Sequence, residues 1–229
     1  MKKISFLLGI ILLSTACTTT YFYSTLSPEE SATIVKKLAD GAFIVEDNLL
    51  QLTYSFNGKN APVNVTVHNK SSEGMFIDWE RSAFVVNDQA TYYKSSATKD
   101  QEKESKGGFY SLAPVSANNI TFLPPGAKAI NTLPSLSGLN FSNINESRFS
   151  DSNMPDKNGY IHPVKKSEYK ESDTPYKLRS YVTVYFKDKT DTHVLDQDFY
   201  ISEIVKSNKI KPWTMPTDLA KKGDVFYTK

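Results

Sequence analysis

The sequence predicts an all-β protein, an immunoglobulin-like β-sandwich elaborated by a long irregular insertion. Three observations predict it. Segments with an apolar and polar alternation of period two, the mark of half-buried strands, recur from residue 41 to about residue 205. Turn-forming residues interrupt them at short intervals, as in a meander or sandwich sheet. Helical stretches are too few to cover a sheet, so the apolar faces must be buried by a second sheet.

Taken in order, residues 18–30 begin with threonines and the aromatic run Tyr21-Phe22-Tyr23. They read as a tether, a first edge strand or an aromatic patch near a membrane. Ser27, Pro28 and Glu30 resemble a helix start, but Ala32-Thr33-Ile34-Val35 has strand propensity, so extended structure is expected over 29–40. Ala42–Val45 is followed by a Glu46-Asp47-Asn48 turn and by Leu50, Leu52, Tyr54 and Phe56 at every second position. Asn57-Gly58 reads as a hairpin turn, because both residue types tolerate positive φ. Val63, Val65 and Val67 then face one way, and Asn64, Thr66 and His68 the other. Met75–Trp79, Ala83–Val86 and Thr91–Tyr93 continue the series. Residues 94–108 are polar and charged and read as an exposed loop.

Strands are expected again at Phe109–Leu112 and Ile120–Leu123, with Pro124-Pro125-Gly126 turning the chain. Residues 132–176, rich in Ser, Asn, Pro and Gly, form the irregular insertion, or a covering layer packed by Leu136, Leu139, Phe141, Phe149 and Tyr160. Leu178–Phe186 and Val194–Val205 are expected to pair across a charged turn at Lys187–Asp191. In the second of these, strict alternation puts Tyr200 and Ile204 on one side and Phe199, Ile201 and Val205 on the other. The sandwich is thus placed at 41–212, with 17–40 ahead of it and a tail at 213–229 that docks through Trp213 and Met215. No internal period of 20–50 residues suggests a solenoid or propeller.

The first residues read differently. Lys2 and Lys3 precede an apolar run, Ile4–Leu13, and Ser14, Thr15 and Ala16 are small residues before Cys17. That is the order of an export signal peptide. The run is shorter than the roughly 20 residues a spanning helix needs. The segment resembles the signal of bacterial lipoproteins, whose cysteine is lipidated, although Ser14 stands where the usual box has Leu. Residues 1–16 are therefore expected to be removed and Cys17 to carry lipid. Cys17 is the only cysteine, so no intramolecular disulfide can form, and lipidation accounts for an odd cysteine in an oxidising compartment.

Removal of 16 residues from 229 leaves 213 and takes Lys plus Arg from 27 to 25, equal to the 25 Asp plus Glu. A balanced chain supplies no concentrated basic face for nucleic acid. Leu50–Phe56, Val67-His68-Asn69-Lys70-Ser71, Ile77–Asn87 and Phe199–Ile204 resemble an uncharacterised family of Bacteroides-group envelope lipoproteins with a β-sandwich domain. The resemblance implies a fold and a location, and it carries no catalytic or ligand residue. It places the protein on the envelope, anchored to the outer membrane. Thr18-Thr19-Thr20, in place of an acidic run after the cysteine, favours the periplasmic face over the cell surface.

Reactive constellations are scarce. The chain has no Gly-rich phosphate loop, paired cysteines, His-Glu-x-x-His or Gly-x-Ser-x-Gly. A serine nucleophile would need His68, His162 or His193 as base, each in or beside a polar run. Metal ligands would have to come from His193 with Asp191 or Asp196, or from Asp151, Asp156 and Asn158, all of which read more simply as turn and surface residues. No catalytic residue, metal or cofactor is assigned. Asp78-Trp79-Glu80-Arg81 is the most distinctive cluster: Asp78, Trp79 and Arg81 could contact a sugar or a protein, but Trp79 reads better as a core cover, with Arg81 paired to an acid and Ser82 shaping a bend. Tyr92, Tyr93, Tyr181 and Tyr185 read as sheet-face packing. The expectation is a non-catalytic protein- or saccharide-binding or accessory module. The alternatives are a hydrolase of envelope or dietary polymers, with two carboxylates across a cleft, and a membrane-proximal spacer.

Overall fold

The structure, a computed structural model, describes residues 18–29, 34–93, 119–186 and 192–229. Cys17 and the signal segment lie outside the described residues, as do the expected loop at 94–108, the strand at Phe109–Leu112 and the turn at Lys187–Asp191. The strands are β1 (Tyr21–Pro28), β2 (Ile34–Lys37), β3 (Phe43–Glu46), β4 (Leu50–Ser55), β5 (Gly58–Lys59), β6 (Val63–Asn69), β7 (Met75–Val86) and β8 (Gln89–Tyr92). They continue with β9 (Ile120–Leu123), β10 (Lys128–Leu133), β11 (Ser150–Pro155), β12 (Ile161–Glu168), β13 (Lys177–Tyr185), β14 (Thr192–Ser207) and β15 (Val225–Thr228). A four-residue helix, α1 (Thr217–Ala220), precedes β15.

Two sheets pack face to face as an all-β sandwich. The smaller has the order β10-β6-β4-β3-β2 and the larger β5-β15-β1-β14-β13-β7-β8. Two long strands organise the larger sheet, because each has different neighbours along its two halves. On one edge β14 pairs with β13 through residues 192–200 and with β12 through 203–206. Likewise β7 pairs with β9 at its start and with β8 at its end. The hairpin of β11 and β12 thereby joins the sheet through β14.

Period two works as expected where strands are regular. Leu50, Leu52, Tyr54, Val63, Val65 and Val67 point inward and are fully buried. Phe43, Tyr54, Phe56, Phe84 and Phe199 form the centre, with ring centroids 5.2–6.4 Å apart and mostly edge-on, the arrangement favoured by aromatic quadrupoles. Asp47 ends β3 by accepting hydrogen bonds from the backbone N–H groups of Leu49 and Leu50 at 2.8 and 2.9 Å. This is the side-chain turn expected of Asp.

Several expectations change. Tyr21–Pro28 is neither tether nor edge strand. It runs between β14 and β15, with Tyr21, Phe22 and Tyr23 buried. The tail likewise adds a strand: β15 pairs with β1, so the sandwich takes in both ends of the described chain instead of stopping at 41 and 212. Asn57-Gly58 does not make the hairpin turn. Gly58 and Lys59 pair in parallel with Phe226 and Tyr227, and positive φ values recur past the pair, at Asn60 and Ala61 as well as at Gly58.

The insertion at 132–176 contains the regular hairpin of β11 and β12 besides irregular chain. Its Leu136, Phe141 and Phe149 are buried, while Tyr160 is 69% exposed. In β14 a bulge at Ser202 lets two residues oppose one on β1. The strand changes face there, so Ile204 joins Phe199 and Ile201 in the main core and Val205 turns to the outer face.

That outer face carries a second apolar cluster. Tyr21, Tyr23, Val205, Met154, Val164, Ile210 and Met215 are buried together beneath the β11–β12 hairpin and the C-terminal tail. Tyr23 Oη donates to the Ile210 carbonyl at 2.9 Å, and burial, with Tyr21 and Tyr227 adding to it, pushes its pKa up. The tail is fixed by Asn57, whose amide donates to the carbonyls of Ala220 and Lys222 at 2.8 and 3.0 Å.

Candidate functional site

The hairpin and the tail do not meet along their whole length, and the space between them is a groove on the outer face of the larger sheet. One end is a cavity of about 290 Å³ with Met154, Val164 and Val205 as its apolar floor and Pro216, Asp218 and Leu219 on the tail side. The other, of about 390 Å³, is bordered by Thr25, Ser202, Lys37, Glu168, Lys222 and Asp224. Glu203 and Leu219 line both, so the two cavities are adjacent.

The groove depends on features far apart in sequence. The Ser202 bulge turns Val205 outward into its floor. Gly41 permits the approach of Asp224: it has φ +83°, and a Cβ there would lie 2.2 Å from Asp224 Oδ1. Lys37 Nζ meets Asp224 Oδ2 at 2.5 Å. Across the groove Lys166 bridges Glu203 at 2.6 Å and Glu168 at 2.9 Å. Hydrogen bonds to these two carboxylates outweigh desolvation and push the Lys166 pKa up, keeping the ammonium charged. Apolar floor and alternating charged rim suit a ligand that offers both apolar and ionic groups. Tyr169, the aromatic residue on this rim, is only 8% exposed, so it has little open ring face for sugar stacking.

Asp78, Trp79 and Arg81 are brought together in a bulge of β7. Asp78 pairs with Thr183 and Ala83 with Tyr181, so Trp79–Ser82 loop out opposite a single residue, Val182. Asp78 Oδ1 accepts from the backbone N–H groups of Glu80 and Arg81, both at 3.1 Å. Ser82 Oγ donates to the Asp78 carbonyl at 2.6 Å and accepts from Thr183 N–H at 3.0 Å. The loop drives Trp79 inward. Its indole is 3% exposed, donates to Thr121 Oγ1 at 2.9 Å and lies 5.5 Å from the Tyr93 ring. Arg81, whose Nε is 3.7 Å from Asp78 Oδ2, is the exposed member of the trio. Tyr93 and Tyr185 are buried, whereas Tyr92 is 56% exposed.

The histidines occupy structural positions. His193 Nε2 is 2.6 Å from Asp47 Oδ2, which joins β14 of one sheet to the β3–β4 turn of the other. Burial pushes the Asp47 carboxyl up, but the two backbone donors and His193 together hold its pKa below the usual value. His162 Nε2 is 3.2 Å from Asp156 Oδ2, while Asp156 Oδ1 accepts from Asn158 and Tyr160 and shapes the β11–β12 turn. His68 sits on β6 between Gln51 and Lys128.

Asp151 is paired with Lys165, and Asp196 with Arg179; Asp191 lies outside the described residues. Among the described residues no group of three His, Cys, Asp or Glu is placed to hold a metal, and no helix is long and apolar enough to cross a membrane.

Sequence reasoning missed the groove. Its walls come from β1, β2, β11, β12, β14 and the tail, and no local spacing signals their meeting. Glu203 lies within the stretch Phe199–Ile204 noted for its family-like character, but nothing there marked it as lining a cavity. Compared with protein-family models, curated proteins and solved structures, the chain matches none.

Proposed function

We propose that this is a non-catalytic lipoprotein, held by lipid on Cys17 at the periplasmic face of an outer membrane, that binds an extended segment of a partner protein. The groove on the outer face of the larger sheet carries the reading. A peptide offers apolar side chains to the partly exposed Leu219, which lines both cavities, and charged ones to the Lys166, Glu168 and Glu203 rim. Limited exposure of the rim's aromatic residue makes a saccharide the weaker occupant.

The groove is tested in intact cells of the native host by a photo-reactive phenylalanine in place of Asp218, which is exposed and lines it. A discrete protein adduct is expected from Asp218 and not from Thr66 on the smaller sheet. No adduct, or the same adduct from both positions, overturns the binding reading. Cys17→Ala is expected to abolish fatty-acid labelling and release the protein from the membrane fraction. Retained labelling overturns the anchor.

A further inference from the structure

The first described residues, Thr18–Thr20, lead into β1 opposite the last residue of β14: Tyr21 pairs with Ser207. The hairpin of β11 and β12 extends past this same end. Lys165 pairs with Lys206, so Ile161 and the turn at 156–160 project beyond Ser207. The chain leaving β14 turns here too, through a 3-10 turn at Pro212–Thr214. Lys157 N–H donates to the Thr214 carbonyl at 2.8 Å, tying hairpin tip to turn. Lys211 N–H donates to Thr214 Oγ1 at 2.8 Å and closes the turn.

Three large apolar or amphipathic side chains stand out at this end: Tyr160 is 69%, Trp213 67% and Ile161 64% exposed. They are held there by rigid turns. Asp156 fixes the backbone ahead of Tyr160, and Pro212 and Thr214 fix it around Trp213. Lysines accompany them. Among the described residues Lys157, Lys209 and Lys211 have no carboxylate partner, and the Lys211 ammonium lies 5.3 Å from the Tyr21 ring centroid and donates to the Thr19 carbonyl. Trp and Tyr at headgroup depth, an inserted aliphatic group and lysines facing anionic lipid are the components of an interfacial contact. Among the described aromatic residues Tyr160 and Trp213 are the most exposed, ahead of Tyr92 at 56% and Phe122 at 55%.

We infer that this end of the sheet is a membrane-contact surface, with Trp213, Tyr160 and Ile161 entering the headgroup region of the bilayer that holds the Cys17 lipid. The inference rests on the anchor reading. Cys17 is four residues before Tyr21, a reach of at most about 14 Å, so the acyl chains must enter the bilayer beside these side chains. The domain then stands end-on. Thr25, on the groove border four strand residues beyond Tyr21, lies roughly 13 Å further from the lipid, and the groove opens along the side of the molecule towards the periplasm.

The test uses the full-length mature protein, extracted and reconstituted in vesicles of phosphatidylethanolamine and phosphatidylglycerol doped with bromolipid, a contact quencher of tryptophan. The two tryptophans, Trp79 and Trp213, differ sharply in exposure, and Trp213→Phe leaves the buried one as an internal control. Wild-type emission is expected to fall on bromolipid addition, and emission of the Trp213→Phe variant to stay unchanged. Mass analysis of the N-terminal peptide reports acylation of Cys17 in the same sample. An acylated protein whose Trp213 is not quenched overturns the contact surface and leaves the anchor standing. An unacylated Cys17 overturns the anchor, and the end-on arrangement with it.

Discussion

Trp79 shows how a single residue can carry opposite readings until its backbone is known. In sequence it stands among Asp, Glu and Arg, where an exposed aromatic would suggest a ligand platform. The bulge of β7 separates those neighbours: Asp78 closes the loop, Arg81 remains 74% exposed in its side chain, and the indole enters the main core. Trp79→Ala is expected to destabilise the domain by about 3–5 kcal/mol, the range for removing a large buried aromatic. Arg81→Ala is expected to cost less than about 0.5 kcal/mol, because a 3.7 Å pair at the surface contributes little. Urea midpoints distinguish these outcomes. A stable Trp79→Ala protein would mean that the indole is not a core group.

At the scale of elements, strands were legible where alternation was unbroken and illegible where it broke. Val63–Val67 and Leu50–Phe56 placed their own inward faces because nothing interrupts their pleat. Ser202 defeats the same reasoning. One extra residue reverses the pattern beyond it, and a bulge has no composition that a reader of β14 could recognise. The groove was invisible for the same reason, since its floor includes Val205 on the reversed part of the strand.

Asn57-Gly58 is a different kind of failure, because local turn chemistry was outweighed by a distant segment. Asn57 spends its amide on the tail, whose carbonyls need a donor, and this holds β15 beside β1. Asn57→Ala leaves those part-buried and exposed carbonyls without that donor, a loss of about 0.5–1.5 kcal/mol, the net contribution of an ordinary hydrogen bond. Hydrogen exchange should therefore accelerate at Phe226 and Tyr227 ahead of the central strands. Unchanged protection at these two amides would show that sheet pairing alone holds the tail.

For the whole molecule, the junction of the two sheets includes a hydrogen-bonded aspartate–histidine contact as well as the apolar core. Asp47 belongs to the smaller sheet and His193 to the larger, and they meet at 2.6 Å. Because the Asp47 pKa is lowered in the folded protein despite the desolvation that opposes it, the carboxylate binds protons less readily folded than unfolded. Its contribution is therefore present above the unfolded aspartate value, about 3.9, and is lost as pH falls through the lower folded value.

Asp198 works the other way: burial, with Glu29 and Asp196 nearby, raises its pKa against the pull of Arg179. Charging it costs stability, and protonation relieves that cost as pH falls through its raised folded value. The acid limb of wild-type stability therefore mixes opposing contributions, and a variant comparison isolates one. Asp47→Asn keeps an oxygen for the Leu49 and Leu50 N–H groups while removing the charge opposite His193. It should lower the urea midpoint at about pH 7, and the deficit should shrink towards zero as both proteins are taken down through the lowered folded value of Asp47, where the native carboxylate is itself being protonated. A deficit of constant size across that range would assign the loss to packing or hydrogen-bond geometry instead of charge.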